Sequence, residues 1–532
     1  MEKSKKMILI LPTALTLLSL ASCNIYSIVP LSSSSSSEAP EISKVYVSDG
    51  VYRSENFLQT TLQDVSYQRG MDLPPSTGDV NVLVLPIEFS DYAFSEDTLN
   101  NVSLTLSGTN TGYWESVASF YEKSSYGKLH LNFHMAPIYE TGITARNAAK
   151  NDYIYELNDE KDKYSGQYYV NKAVEAYDDS TAPLTDFDQD DDGIIDAVIA
   201  VYSCPNYMNK TYSFSYSGQV HKDESLFWGY TYWCLNYGDL SSPKANTYIW
   251  LSYDFFEKGG KADPHTLIHE YGHVMGLDDY YSTEVTFQPA GGIDMMDMNV
   301  TDHDAYTKCA LGWTSPYIID GDDVTITIKP SESSGDCLLI PTSSFNGTLW
   351  DEYILLELYT PDGLNELDST TAYNGTYPQG YTIPGIKIYH IDSRLIQCNY
   401  SSKTESYTST PYVKNPNSID LDSDDVCYLV GATNCSKKFN SSMVLSSNRE
   451  YSSDYSLIHL IEASGTNTFS KGKTGTNATL FQAGSSFSLG KYGNSFFQNR
   501  SYMNNGDSFP YTIAVESVSS SGATIRITKN SN

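Results

Sequence analysis

The chain has 532 residues, of which 40% are hydrophobic, so it is too long for one ordinary domain and can bury a sizeable core. Lysine and arginine number 33 against 65 aspartates and glutamates, which gives a formal net charge of -32. This balance excludes nucleic acid as a partner, because phosphate recognition needs a positively charged surface. The eight cysteines are scattered and indicate no disulfide framework.

The N-terminus has the pattern of a bacterial export signal. Three lysines among the first six residues precede an apolar run, residues 7–20, which is too short to span a bilayer. The run ends in LASC, whose last residue is Cys23, and this tetrapeptide resembles the lipobox of bacterial lipoproteins. We therefore expect a signal peptide over residues 1–22 and a lipid anchor on Cys23. The alternative is an ordinary secretory signal in which the cysteine is incidental.

Residues 23–77 are expected to connect this anchor to the folded protein. Six consecutive serines, residues 32–37, are typical of a flexible tether. Residues 38–77 could be the end of the tether or a pro-segment. The anchor makes the membrane a partner and predicts a location on the extracellular face of a bacterial membrane, or secretion if the lipobox is not used.

Residues 78–316 are predicted to form the first folded domain, of α+β class, followed by a β-rich region over 317–532. The expected elements of the first domain are strands at 80–89 and 128–136, helices at 112–125 and 170–177, and strands at 194–202 and 247–253. The stretch from 204 to 249 is rich in tyrosine and tryptophan.

An acidic loop directly precedes the strand at 194–202. Its carboxylates are Asp188, Asp190, Asp192 and Asp196. Their spacing can place oxygen ligands around calcium, and Gly193 permits the sharp turn that this requires. The loop is not an EF-hand, because the twelfth position is Ile199 and not glutamate. We expect calcium here, since clustered carboxylates repel one another without a cation; the alternative is a solvated acidic turn.

The sequence HEYGHVMGLDDYY, residues 269–281, carries the strongest functional signal. His269 and His273 are four residues apart, so on a helix both imidazoles project from one face and can bind one zinc ion. Glu270 is offset beside them. A catalytic zinc needs three protein ligands and an open position, and the turn after the helix should return Asp279 to the metal.

The helix itself is predicted from residues around the motif. Asp263 is a suitable N-cap, Pro264 fits the first helical position and Gly276 is a natural stop. His265 falls on the same helical face but lies eight residues from His273, roughly 12 Å along the axis. We therefore expect His265 to be a solvated histidine that does not share the metal.

Two alternatives to Asp279 as third ligand are its neighbour Asp278 and the later Asp294. The latter belongs to GGIDMMDMN, residues 291–299, where a methionine shortly after the motif suggests the methionine-containing turn that floors the metal site in metzincins. Met296 is expected in this role. A methionine-rich core loop is the alternative.

Three successive segments together resemble the immune inhibitor A family of bacterial metallopeptidases. They are HEYGHVMGLDDYY, GGIDMMDMN and then DHDAYTKCALGW at 302–313. Weaker similarity extends the resemblance over roughly residues 78–532. Its segments are VNVLVLPIEFSD at 80–91, SFYEKSSYGKLHL at 119–131, DEYILLELY at 351–359 and PGIKIYHID at 384–392. The resemblance implies a metzincin-like zinc peptidase domain, and the family has a similar acidic loop. Two departures are Asp278, where the family often has proline, and a long polar stretch near 399–455.

The region 317–532 is predicted to be all-β and to resemble a β-sandwich, because strands alternate with glycine, asparagine and serine turns. The clearest strands are 324–329, 353–358, 386–391, 456–463 and 523–528. The polar stretch at 399–455 is expected to be an insertion on the surface of this region.

These features predict a zinc-dependent endopeptidase that hydrolyses extracellular proteins or peptides. Zinc would lower the pKa of a bound water and polarise the scissile carbonyl, while Glu270 takes the water proton and passes it to the leaving amine. Tyr306 and His303 are candidate oxyanion donors, with a structural role as the alternative for both. An edge strand above the helix can pair with an extended substrate, and 247–253 is placed for this role.

The alternative function is a non-catalytic surface lipoprotein that binds a host polymer or glycan, with zinc only structural. Its support is the 13% aromatic content. Against it stands Glu270, because a structural zinc site has no need for a carboxylate beside an open metal position.

Overall fold

The computed structural model describes residues 42–67, 73–109, 111–157, 165–177, 182–223, 225–234, 242–281, 287–375, 377–401 and 456–530, together with four short strands between 406 and 451. The predicted signal peptide, the lipidation site Cys23 and the serine run lie outside these residues. Within them, no helix has the length and apolar character needed to cross a membrane.

The fold is a mixed α+β structure with several sheets. Its described helices are Leu62–Tyr67, Glu96–Ser107, Val117–Ser124, Ala145–Leu157, Gly166–Glu175, His265–Val274, Ala305–Ala310, Ser331–Ser334, Glu366–Thr370 and Leu489–Phe496. The helix His265–Val274, which carries the two motif histidines, is called the motif helix below.

A six-stranded sheet lies at the centre of the first domain. Its order is Tyr230–Trp233, Thr247–Ser252, Val198–Tyr202, Gly78–Glu88 and Leu129–Met135, with Tyr139–Glu140 also paired to Gly78–Glu88. All pairings are parallel except that of the outermost strand, Tyr230–Trp233, which is antiparallel to Thr247–Ser252. We call Tyr230–Trp233 the edge strand. The expectation that 247–253 lies at the edge is therefore wrong, because the edge strand covers its outer side.

Successive residues of these strands point to opposite faces of the sheet, so alternate residues pack into two different cores. On one side Val82, Ile199 and Ile249 pack with the motif helix. On the other side Tyr248 and Trp250 pack with the helices Ala145–Leu157 and Gly166–Glu175.

A seven-stranded sheet forms the base of the second region. Its order is Lys44–Ser48, Val51–Ser54, Tyr317–Ile319, Cys337–Pro341, Glu352–Tyr359, Gly385–Asp392 and Ile458–Leu460. One face, including Leu339 and Leu355, joins the core that contains the motif helix. The opposite face, including Ile354, packs against the four-stranded sheet described next. The two regions thus share one apolar core.

The C-terminal four-stranded sheet is antiparallel, with the order Asp323–Ile328, Gly522–Lys529, Tyr511–Ser519 and Ser486–Ser488. The predicted strands at 324–329 and 523–528 are confirmed and are direct neighbours. The region is not purely β, since it also contains the short helices Ser331–Ser334, Glu366–Thr370 and Leu489–Phe496.

The remaining strands are short pairs or a small sheet at the periphery. They are Tyr212–Tyr216 with Gln219–Asp223, Ile194–Ile195 with Lys244–Ala245, Glu257–Lys258 with Lys261–Ala262, Lys437–Lys438 with Glu450–Tyr451, and a three-stranded sheet of Ser406–Tyr412, Leu395–Ser401 and Val426–Leu429. The last sheet and the fourth pair fall largely within the predicted polar insertion.

Part of the predicted tether is built into the fold. Val51–Ser54 is hydrogen-bonded between Lys44–Ser48 and Tyr317–Ile319, so it is an internal strand of the seven-stranded sheet. Val51 and Phe57 are fully buried. Val51 and Phe57 therefore contribute to the core of the protein, whereas Lys44–Ser48 is an exposed strand at the edge of the sheet.

Candidate metal centre

The motif helix begins and ends close to the predicted positions. Asp263 Oδ1 accepts a hydrogen bond from the His265 backbone N–H at 3.2 Å, and the helix spans His265–Val274. Gly276 follows with a φ of 94°, a left-handed conformation that glycine adopts without steric cost. The chain can therefore reverse immediately after the second histidine.

This reversal brings the carboxylate of Asp279 against both motif histidines. Asp279 Oδ1 lies 3.1 Å from His269 Nε2 and 3.1 Å from His273 Nε2. One ligand atom from each of the three residues lies within 4.8 Å of the others. The three side chains are 13%, 21% and 14% exposed for His269, His273 and Asp279, so the site is accessible from one side.

Backbone carbonyls determine which imidazole nitrogen faces the site. His269 Nδ1 is 2.9 Å from the Met295 carbonyl oxygen, and His273 Nδ1 is 2.8 Å from the Leu277 carbonyl oxygen. A carbonyl can only accept, so each Nδ1 carries a proton, and Nε2 is the nitrogen that can bind a cation once any proton on it is displaced. Two imidazole nitrogens and one carboxylate oxygen form a donor set that fits zinc with a position left open.

Neither alternative third ligand joins this cluster. Within the described residues, the group that could hold a metal ion contains Asp279 and not Asp278. Asp294 is 2% exposed, and its two oxygens accept the backbone N–H groups of Met296 at 2.9 Å and Asp304 at 3.0 Å. Asp294 therefore stabilises the methionine-containing turn.

That turn packs directly beneath the motif helix. A Cβ atom added at Gly272 would lie 2.4 Å from Met296 Sδ, so the methionine occupies the space that glycine leaves. The Met296 carbonyl accepts the Tyr280 N–H at 2.6 Å, which ties the turn to the residue after Asp279. Met296 thus contacts the helix and holds the returning chain.

The electrostatics of the site are those of a carboxylate held by two imidazoles. Burial alone would raise the pKa of Asp279, but the neighbouring histidines hold it well below its usual range. Burial lowers the pKa of His273, yet the charge of Asp279 and its hydrogen bond outweigh this effect and raise the pKa to about 10.

Glu270 lies beside this cluster and is 8% exposed. Its carboxylate accepts a hydrogen bond from the Thr231 hydroxyl, with 2.9 Å between Thr231 Oγ1 and Glu270 Oε2. Thr231 belongs to the edge strand, which sequence reasoning missed because no local pattern distinguishes it from other aromatic-rich strands.

Tyr281 is a second residue that the sequence analysis did not single out. Its ring lies nearly parallel to that of His269, with 6.4 Å between the ring centroids and 20° between the planes. Burial, the charges of Asp279 and Glu270, and a hydrogen bond to Asp279 raise the pKa of its hydroxyl. Its place two residues after Asp279 in the motif is the signal that could have identified it.

The two predicted oxyanion donors lie in the protein core. His303 is 3% exposed, with its ring among Phe120, Tyr121 and Trp313, and burial lowers its pKa to about 3. Tyr306 is 2% exposed and belongs to the same apolar core.

His265 does not belong to the cluster, as expected, but the expectation that it is solvated is wrong. It is buried, because Tyr373 and Tyr377 from the second region cover the start of the motif helix, with ring centroids 4.2 Å and 6.1 Å from that of His265. Burial lowers the pKa of His265 to about 3. A contact between residues so distant in sequence leaves no local signal.

The acidic loop forms the predicted sharp turn, with Gly193 at a φ of 87°. Oxygens of Asp188, Asp190 and Asp192 lie within 4.8 Å of one another. Asp196 is 6% exposed and accepts the Gln189 N–H at 2.9 Å. Burial and then the repulsion of the other three aspartates raise the pKa of Asp196 to about 7.

The described cysteines Cys204, Cys234, Cys309 and Cys337 are all buried and free, so no disulfide joins any two of them.

The chain matches no protein-family model, and a search of the curated proteins finds no match.

The raised pKa of His273 predicts a pH dependence of metal binding. Without metal, His273 is protonated at neutral pH, because its pKa is about 10. An incoming cation must displace this proton, so the apparent zinc affinity should rise about tenfold per pH unit across the neutral range. Calorimetric titration in buffers of different ionisation enthalpy measures the released proton. A zinc affinity that stays constant across this range would contradict the expectation.

Proposed function

We propose that this protein is a zinc-dependent endopeptidase similar to the immune inhibitor A family, anchored by lipid to the extracellular face of a bacterial membrane. The observation that carries the proposal is the approach of His269 Nε2 and His273 Nε2 to one oxygen of Asp279. Glu270 lies directly beside them. A carboxylate in this place is what peptide hydrolysis needs and a structural metal site does not.

In this proposal His269, His273 and Asp279 hold the zinc ion. When bound, zinc lowers the pKa of a water molecule and polarises the scissile carbonyl. Glu270 takes the proton of the attacking water and then transfers it to the nitrogen of the leaving amine. The position of Glu270 supports this role, because it directly follows the motif residue His269 on the motif helix and its carboxylate is held by the Thr231 hydroxyl.

The edge strand is the proposed site for the substrate backbone. It is the outermost strand of the described six-stranded sheet and is antiparallel to Thr247–Ser252. An extended peptide can add to such an edge through main-chain hydrogen bonds and would be bound largely independently of its sequence. The role considered for 247–253 is therefore assigned to Tyr230–Trp233.

Tyr281 is the proposed donor to the oxyanion of the tetrahedral intermediate, in place of Tyr306 and His303. Its ring lies beside that of the motif residue His269, with 6.4 Å between the ring centroids, whereas the other two side chains are in the core. A hydroxyl whose pKa is raised remains protonated and can donate throughout the reaction.

A calcium ion bound by the acidic loop is the second proposed cofactor. The clustered oxygens of Asp188, Asp190 and Asp192 support it, and Asp196 lies at the end of the same turn. The loop leads directly into Val198–Tyr202, an internal strand of the six-stranded sheet. Calcium would therefore stabilise the sheet and not take part in the chemistry.

Replacing Glu270 by glutamine tests the proposed function. Because the general base is removed while the metal ligands remain, we expect casein cleavage to fall by about 10²- to 10⁴-fold at unchanged zinc content. Asp279→Asn should lose zinc, and Asp278→Asn is the matched control that should retain zinc and activity. Full activity in E270Q would show that Glu270 is not the base.

Tyr281→Phe tests the proposed oxyanion donor. Loss of one donor should lower kcat about 10²-fold at similar KM and zinc content. Tyr280→Phe is the control. The Tyr280 hydroxyl is hydrogen-bonded to the Thr307 hydroxyl in the core, with 2.6 Å between the two oxygens, so its loss should affect stability only. Equal kcat values for Y281F and the wild type would exclude this role.

Asp190→Asn tests the calcium site. In the wild type, calcium at about a hundredfold excess over its Kd should stabilise the fold by about 2.7 kcal/mol. The variant should lose most of the calcium-dependent increase in Tm, measured by thermal unfolding with and without a calcium chelator. Asp186→Asn, at an exposed position outside the cluster, should keep it. No calcium-dependent shift in the wild type would rule out the site.

A further inference from the structure

The Thr231 hydroxyl contacts two acceptors of the same residue. Thr231 Oγ1 lies 2.9 Å from Glu270 Oε2 and 3.0 Å from the Glu270 carbonyl oxygen. A hydroxyl has a single proton, so Thr231 donates to one of these acceptors at a time or shares the proton between them in a three-centre hydrogen bond. Thr231 therefore lies within hydrogen-bonding distance of both the side chain and the backbone of Glu270.

The strand geometry explains why this residue reaches the helix. Thr231 pairs with Ile249, which packs in the core that contains the motif helix. Its neighbours Tyr230 and Tyr232 pack instead against the core on the opposite side of the sheet. Thr231 is thus the residue of the edge strand that faces Glu270.

We propose that Thr231 is a positioning residue for Glu270, an inference that rests on the proposed peptidase function. By holding Oε2, the threonine hydroxyl leaves Oε1 as the oxygen that takes the proton of the attacking water. The proton then passes from Oε1 to the nitrogen of the leaving amine, and Thr231 keeps its own proton throughout. Among the described residues, no other side chain donates a hydrogen bond to this carboxylate.

The contact also connects substrate binding with the orientation of the base. An extended peptide bound to the edge strand would pair with the same four-residue strand whose Thr231 holds Glu270. Correct placement of the peptide backbone and correct placement of the carboxylate then depend on one element. This arrangement favours extended peptide segments as substrates, because only they can pair with the strand.

The test compares Thr231→Val with Thr231→Ser in the full chain, using casein. Valine keeps the shape of threonine and favours a strand but lacks the hydroxyl, whereas serine keeps the hydroxyl. Loss of one hydrogen bond to a charged group should lower kcat by about 10- to 100-fold in T231V, with KM and zinc content unchanged. T231S should restore kcat to within a few-fold of the wild type.

E270Q, measured alongside, distinguishes failure of the role of Thr231 from failure of the proposed peptidase function. A wild-type kcat in T231V beside an inactive E270Q overturns the role of Thr231 alone, as does T231S that is as slow as T231V. Equal rates for E270Q and the wild type overturn the proposed function and the inference with it. If T231V does not fold, Thr231→Ala provides the same comparison with serine.

Discussion

The candidate site depends on two hydrogen bonds between imidazole N–H groups and backbone carbonyls. His269 donates to Met295 and His273 to Leu277, and these bonds turn both Nε2 atoms toward Asp279. One carbonyl lies in the methionine-containing turn and the other in the reversal after the motif helix. Because each acceptor is backbone, the orientation of the histidines depends on the path of the chain and not on another side chain. The architecture around the motif helix serves to hold those two segments in place.

The surrounding packing explains how the path is held. Met296 fills the space beside Gly272, and its carbonyl binds the N–H of Tyr280, so the helix, the turn and the returning chain form one unit. The seven-stranded sheet contributes Leu339 and Leu355 to the core in which this unit is packed. The second region is therefore more than an appended domain, since it supplies part of the apolar environment of the motif helix. Tyr373 extends the same support to the helix start at His265.

Local spacing in the sequence was sufficient for the motif helix, the reversal at Gly276 and the approach of Asp279. Each of these depends on residues close together in the chain, so helix period and turn chemistry determine them. The role of Met296 was expected from the resemblance of its turn to that of metzincins. The features that could not be predicted depend on distant segments. His265 is buried by Tyr373, and the strand at 247–253 becomes internal because Tyr230–Trp233 pairs with it. The proximity of Thr231 to Glu270 follows from that same pairing, so it was also not foreseeable.

The internal position of Val51–Ser54 has a consequence for how the protein can mature. Its main chain is hydrogen-bonded on both sides, and Val51 and Phe57 are enclosed by the core. Removing the chain through this strand would leave Tyr317–Ile319 as an open sheet edge and would create cavities where these side chains had been. Open edges and exposed apolar surface promote aggregation. A proteolytic trimming event that the fold tolerates must therefore cut before Val51.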